Sequence, residues 1–406
     1  MKNWSSITNP QNKLTAHCKS ALLVVCLAYS CTIAASTLTS KEMLTELNQY
    51  SEKLKTEQGF SGTLLLAKDG EAIFSQAIGY RNIADKLEMN LDTKLNIGSM
   101  NKMFTSVAIA QLVESGLLNF NDKLSLHLPN FPNKEISESV TIRQLLTHTS
   151  GLGSYWNEDF SNKFTELRSV NDYLPIVSNI AFDFKPRTSY QYSNTGFHLL
   201  GMVIEKVSGE NYHDYVKKHI FAPLNMNSTD SYARDTLVEN RALGYVKIDA
   251  DTATADQPEG TLKTNYYMSS VRGMPAGGGY STVNDLLRFA KGLTANKLIS
   301  KKMFELITSR QVQMIRRGEK VDRYYGYGFS GMDKDDVKGS TGHNGGGPGI
   351  GAMMYIYPHQ GYIAIGLGNK NARAIFRFKS KIETMIGVKT ESKGKNKQAK
   401  RRKTKG

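Results

Sequence analysis

The sequence predicts a mixed α/β fold of the α+β kind: an antiparallel sheet built from N- and C-terminal strands and flanked by helices, with a mainly helical lobe inserted. Three observations point to it. Strand-like apolar runs bounded by turn residues sit near both ends of the body, helical spacing fills the middle, and the two ends look alike. Thr39-x-x-Glu42 reads as a capping box that opens a first helix with Leu44, Leu47 and Leu54 inward. Residues 62–67 and 71–77 follow as strands joined through Asp69-Gly70, a strong hairpin signal. Near the other end, 349–357 and 361–367 form a second strand pair separated at Pro358, before a helix over 371–385 that stops at Gly387. Between these, Met103, Val107, Ala110 and Val113 keep a three-to-four spacing that ends at Gly116. Another helix covers 197–207, and Thr282-x-x-Asp285 caps one through Leu286, Leu287 and Phe289. Joining the terminal strands into one sheet leaves a cleft beside the helical lobe.

With 406 residues the chain is long enough for two average domains, yet α/β chains of this size often form one discontinuous unit with a large core. The body, 37–388, is therefore read as one domain. Residues 1–36 carry Lys2, Lys13 and Lys19 without an acid, then an apolar run over 21–28, then Ala34-Ala35-Ser36, the order of a secretory signal peptide. A retained membrane anchor fits less well, because the apolar stretch is short for a bilayer and broken by Tyr29, Ser30 and Thr32. Lipid attachment at Cys31 is disfavoured by Ala28-Tyr29-Ser30 before it. The expectation is export, to the periplasm or beyond, with cleavage. All three cysteines, Cys18, Cys26 and Cys31, fall in this segment, so the mature chain is expected to have neither disulfide nor thiol chemistry.

The net charge of +15 is concentrated at the ends: +3 in the signal segment and +8 over 389–406, leaving +4 for the body. The tail, with nine lysines and arginines against Glu391, is expected to be disordered. It is either a solvated tail without a dedicated partner or a contact for an anionic surface such as lipid headgroups or a wall polymer. The body is not expected to bind nucleic acid.

Ser99-Met100-Asn101-Lys102 is an S-x-x-K, whose two reactive residues lie one helical turn apart on the same face. A serine hydroxyl is a poor nucleophile at neutral pH, and a lysine amine depressed by burial and cationic neighbours can serve as its base. A second S-x-x-K, Ser392 to Lys395, sits in the charged tail with no helix or partner. Further along the body come Leu145-Leu146-Thr147-His148-Thr149-Ser150-Gly151-Leu152, then Tyr192-Ser193-Asn194, then Gly342-His343-Asn344-Gly345-Gly346-Gly347. The glycine runs 277–279 and 345–347 lack the lysine and hydroxyl of a phosphate loop. With eight histidines but no H-E-x-x-H, no metal or other cofactor is expected.

In their order and spacing these landmarks resemble the serine β-lactamase and penicillin-binding-protein superfamily, nearest its class C and D-alanyl-D-alanine-carboxypeptidase-like branch, across 40–386. The resemblance implies a β-lactamase/transpeptidase-like fold, a Ser99 acyl-enzyme, Lys102 taking or relaying the serine proton, and Tyr192 as partner base or acid. It further implies that the Tyr192 phenol is shifted toward phenolate by neighbouring cations, that Asn194 orients Lys102 and the substrate, and that the backbone N–H groups of Ser99 and Gly346 form an oxyanion hole. His343 stands where true β-lactamases have a lysine of Lys-Thr-Gly. That exchange makes β-lactam hydrolysis doubtful, and His343, Asn344 and Gly345 are expected to meet a peptide, ester or amide substrate less dependent on one fixed cation. A buried structural histidine is the competing reading of His343. His148 is read as holding a turn near the cleft. Tyr155, Trp156, Tyr266 and Tyr267 are candidates for its lining or for ordinary packing. The alternative to a hydrolase is a catalytically idle sensor of peptidoglycan fragments or β-lactams.

Overall fold

The computed structural model describes residues 40–388, apart from 255, 269, 315–321, 335–336 and 372. The expected signal segment 1–36, the expected cap Thr39 and the basic tail 389–406 lie outside the described residues. Helix α1 (Ser40–Thr56) leads into the hairpin β1 (Ser61–Lys68) and β2 (Glu71–Ile78). Asp69 and Gly70 turn it at φ 50° and 84°, two successive left-handed residues of the kind a tight hairpin turn needs. Strand β3 (Leu95–Gly98) feeds α2 (Asn101–Glu114), and α3 (Ile142–Leu146) and α4 (Asn194–Ser208) belong to the helical lobe. Strand β4 (Gly279–Ser281) pairs with β3 and precedes α5 (Val283–Thr294), whose cap Thr282 accepts the Asp285 N–H at 3.1 Å.

The C-terminal part supplies β5 (Val312–Gln313), β6 (Asp322–Tyr325), β7 (Ser330–Lys334), β8 (Val337–Gly347), β9 (Ile350–Tyr357) and β10 (Tyr362–Lys370), then α6 (Ala374–Met385). The main sheet has eight strands in the order β2-β1-β10-β9-β8-β7-β6-β5, each pair antiparallel. The first and last strands are thus neighbours, with Leu65 opposite Ile365. The expected architecture is the observed one. Strand β8 is an addition to it: its five glycines are poor strand formers, yet Gly345 is there because a Cβ would come within 2.0 Å of the Ile97 carbonyl oxygen.

Alternation along the strands divides the interior in two. Leu64, Leu66, Met353 and Tyr357 pack under α1 and α6. Leu65, Ala67, Met354 and Ile356 face the helical lobe and α2, every residue of which from 101 to 110 is buried. A helix buried all round has no solvent face to keep, so its first turn can be presented deep inside the molecule. Leu65→Ala, which empties a fully buried position on the α2 side, is expected to lower unfolding free energy by about 2–5 kcal/mol in urea titration.

Candidate active site

Ser99 sits in the turn between β3 and α2. Gly98, at φ 50°, lets the chain reverse there, and the Ser99 carbonyl accepts the Lys102 N–H at 3.1 Å, which holds serine and lysine in one tight turn. Asn96 shapes the approach by accepting the Gly98 N–H at 2.8 Å. Asn101, between the two reactive residues, donates to the Met274 carbonyl at 3.2 Å and accepts the Gly279 N–H at 3.2 Å, tying the 274–279 loop to the start of α2.

That loop completes the lysine's surroundings. The fully buried Lys102 amine donates to Asn194 Oδ1 at 2.7 Å and to the Ala276 carbonyl at 2.5 Å. It also lies 4.8 Å from the centre of the Tyr192 ring and 5.4 Å from that of Phe197. Burial holds its pKa well below the usual lysine value. A neutral amine has two N–H groups and one lone pair, and the two oxygens occupy both N–H groups. The lone pair is left to accept a proton.

Tyr192 neighbours Ser99, and although two fifths of the residue is exposed, burial of the phenol pushes its pKa up. The expected shift toward phenolate is therefore reversed: removal from water penalises the phenolate and is the largest influence on this phenol. His148, left-handed at φ 58° and buried, packs its ring 4.3 Å from that of Tyr192 and accepts the Ser193 N–H on Nδ1 at 3.1 Å. Burial, then Lys102 and His343, lower its pKa well below the ordinary range. Its place under Tyr192 agrees with the turn-holding role.

The third motif behaves differently from its expectation. His343 is buried, donates from Nδ1 to the Asn344 carbonyl at 2.5 Å and accepts the Tyr325 hydroxyl on Nε2 at 2.9 Å. A carbonyl only accepts, so Nδ1 carries the proton and Nε2 must be the acceptor. Burial, then Lys102, lowers its pKa to about 3. Both ring nitrogens are thus engaged within the protein, behind the cleft wall. Asn344 points to the opposite face of β8, where its side-chain oxygen accepts from the Tyr355 hydroxyl, because alternate residues of a strand face opposite sides. Gly345 presses on the turn, with a would-be Cβ 3.0 Å from the Ser99 nitrogen, and Gly346 faces open space. Among the described residues the Ser99 N–H donates to no backbone carbonyl.

Ser99, Asn194 and Gly346 line a cleft of about 960 Å3, counting its open mouth. Tyr155, Trp156 and Tyr266 line it too, whereas Tyr267 is 72% exposed outside it. The Ala276 carbonyl, Asn101, Phe197 and Tyr325 escaped the sequence reading. Asn101 had a signal in its place between Ser99 and Lys102, while a backbone carbonyl has none.

Comparison with known proteins agrees with this geometry. The family model described as Beta-lactamase matches residues 47–381. A penicillin-binding protein of Bacillus subtilis (strain 168) is 34% identical over 332 residues, 80% of this chain and 71% of that protein. Two further relatives are spanned for 61% and 40% of their own length. A penicillin binding protein from Bacillus halodurans superposes with a TM-score of 0.71 at 31% identity, covering 81% of this chain and 98% of that one. A D-amino acid amidase from Ochrobactrum anthropi SV3, with a TM-score of 0.71 at 22% identity over 84% of this chain and 99% of that one, shares the fold.

The buried neutral histidines set the acid sensitivity of the fold. His343 in the folded protein titrates at about 3, and His198 and His213, which burial likewise lowers, at about 4. The unfolded chain takes up these protons near pH 6.5, so stability is lost as pH falls below 6.5, at up to ~1.4 kcal/mol per unit for each histidine until its folded value is reached. Urea midpoints between pH 7.5 and 5 should fall accordingly, and less steeply in His343→Gln.

Proposed function

The chain belongs to the Beta-lactamase family of serine hydrolases, and from that membership and the geometry around Ser99 we propose that it hydrolyses D-amino-acid peptides, esters or related amides through a Ser99 acyl-enzyme. The observation that carries the proposal is the buried Lys102 amine, its pKa pulled down and its N–H groups taken by Asn194 and Ala276, in the same tight turn as Ser99.

In this reading the Ser99 oxygen attacks the substrate carbonyl carbon and its proton passes to the Lys102 lone pair, directly or through the Tyr192 hydroxyl. With lysine pulled down and tyrosine pushed up, the amine is the site that keeps the proton. The oxyanion is received by the N–H groups of Ser99 and Gly346. Collapse of the tetrahedral intermediate breaks the bond to the leaving amine or alcohol, which takes the proton from Lys102. Water then attacks the ester of Ser99 and gives its proton to the same amine, and as the carbon–oxygen bond to Ser99 breaks the amine passes that proton to the serine oxygen, releasing the acid and the free serine. The shared fold with a D-amino acid amidase makes D-aminoacyl amides the first substrates to try. The charge and apolar pattern of residues 1–36 supports export, where D-amino-acid peptides of the wall would be met.

A fluorophosphonate probe followed by mass spectrometry should label Ser99 and no other residue, and Ser99→Ala should lose both label and turnover. Lys102→Arg, a permanent cation, should lower kcat/KM by about 10^2–10^4-fold at pH 7. Wild-type activity should persist far below pH 10 and fall on the acid side as Lys102 protonates, because its pKa is depressed. A labelled penicillin that acylates Ser99 without release, together with no turnover of any D-aminoacyl amide or ester, would make the protein a sensor instead.

A further inference from the structure

Part of the cleft lining is strongly cationic. Arg234, Arg241 and Arg272 line the same cleft as Ser99, and among the described residues no aspartate or glutamate lines it. Arg241 is held to the Ala233 and Arg234 carbonyls at 2.8 and 2.9 Å, and Arg272 to the Ser231 carbonyl through Nε alone at 2.8 Å. These carbonyls fix the guanidinium groups in place without neutralising them. A guanidinium has five N–H donors, so Arg241 keeps three and Arg272 four, including both of its terminal nitrogens. Half-buried like charges gathered in one cleft repel one another and lose hydration, a cost that an anionic ligand offsets.

Arg272 is also tied to the chemistry by the chain itself. It lies four residues before Ala276, whose carbonyl holds the Lys102 amine, and five before Gly277, where a Cβ would be 3.4 Å from the Ser99 nitrogen. At position 343, meanwhile, a neutral buried histidine replaces the cation of the third motif. We propose that Arg241 and Arg272, with Arg234 beside them, form the anion subsite of this enzyme and select substrates bearing a carboxylate or phosphate-type group. The fixed positive charge missing at position 343 is supplied from the 234–272 segment. Planar guanidinium forks suit either anion through paired N–H···O bonds. This inference rests on the hydrolase reading above.

The test compares kcat/KM for matched aryl esters of one acyl length: butyrate, hemisuccinate and 3-phosphonopropionate. N-acetyl-D-Ala-D-Ala set against its C-terminal amide moves the charge to the leaving group. Wild type should prefer an anionic member over its neutral partner by about 10–100-fold, and whether the preferred member carries carboxylate or phosphonate identifies the group. The preference should fall toward unity in Arg272→Gln and Arg241→Gln, be partly retained in Arg272→Lys, and be unaltered in Arg168→Gln, which removes an exposed pair with Asp235 outside the cleft. Labelling of Ser99 by fluorophosphonate certifies each variant as folded. A wild type that labels and cleaves the neutral ester with no anionic preference, or variants that label and keep the preference, would overturn the subsite while leaving the hydrolase. A wild type that neither labels nor cleaves any ester or peptide would overturn both.

Discussion

A buried amine in a dry interior is the constraint on which the rest of this site depends. Lys102 has no surface exposed to water, burial pulls its pKa down toward the free base, and its N–H groups are met by two oxygens. Those two oxygens come from distant parts of the chain, Asn194 at the start of α4 and Ala276 in a loop that Asn101 ties down. Loss of either would leave a buried donor without a partner, so the polar requirements of one side chain hold α2, α4 and the 274–279 loop in register. Chemistry and architecture share the same bonds.

The sheet performs the corresponding task for the backbone. Pairing β1 with β10 closes the two ends of the chain on each other and stacks β9 and β8 beside them, which brings Gly345 against the turn that carries Ser99. Four rings, His148, Tyr192, Tyr325 and His343, then pack behind the serine at centroid distances between 4.3 and 6.5 Å. They exclude water from the amine and keep both histidines neutral.

The terminal strands, the hairpin at Asp69-Gly70, the presence of α2 and the pairing of Ser99 with Lys102 were all legible in the sequence, because period, turn chemistry and i,i+3 spacing are local signals. Tyr192 and Asn194 were legible as a motif, but the direction of the Tyr192 pKa was not, since burial of its hydroxyl is a tertiary property. The glycines of 342–347 concealed a strand, and with the strand went the alternation that turns Asn344 away from the cleft. The arginines at 234, 241 and 272 have no common spacing and meet only in the folded cleft. Burial, facing and long-range convergence are the parts that local patterns do not encode.

The close seat of Gly345 on the serine turn has a consequence for how such a protein diversifies. In the proposed mechanism the cradle for the oxyanion is main chain, indifferent to the side chains on the strand that contributes to it, provided the glycines stay small. A change of side chain at 343 or 344 would alter the contacts to Tyr325 and Tyr355 without displacing the amide proposed to meet the reacting oxygen. Reactivity is inherited through the backbone, while taste for one substrate or another is rewritten in side chains around it.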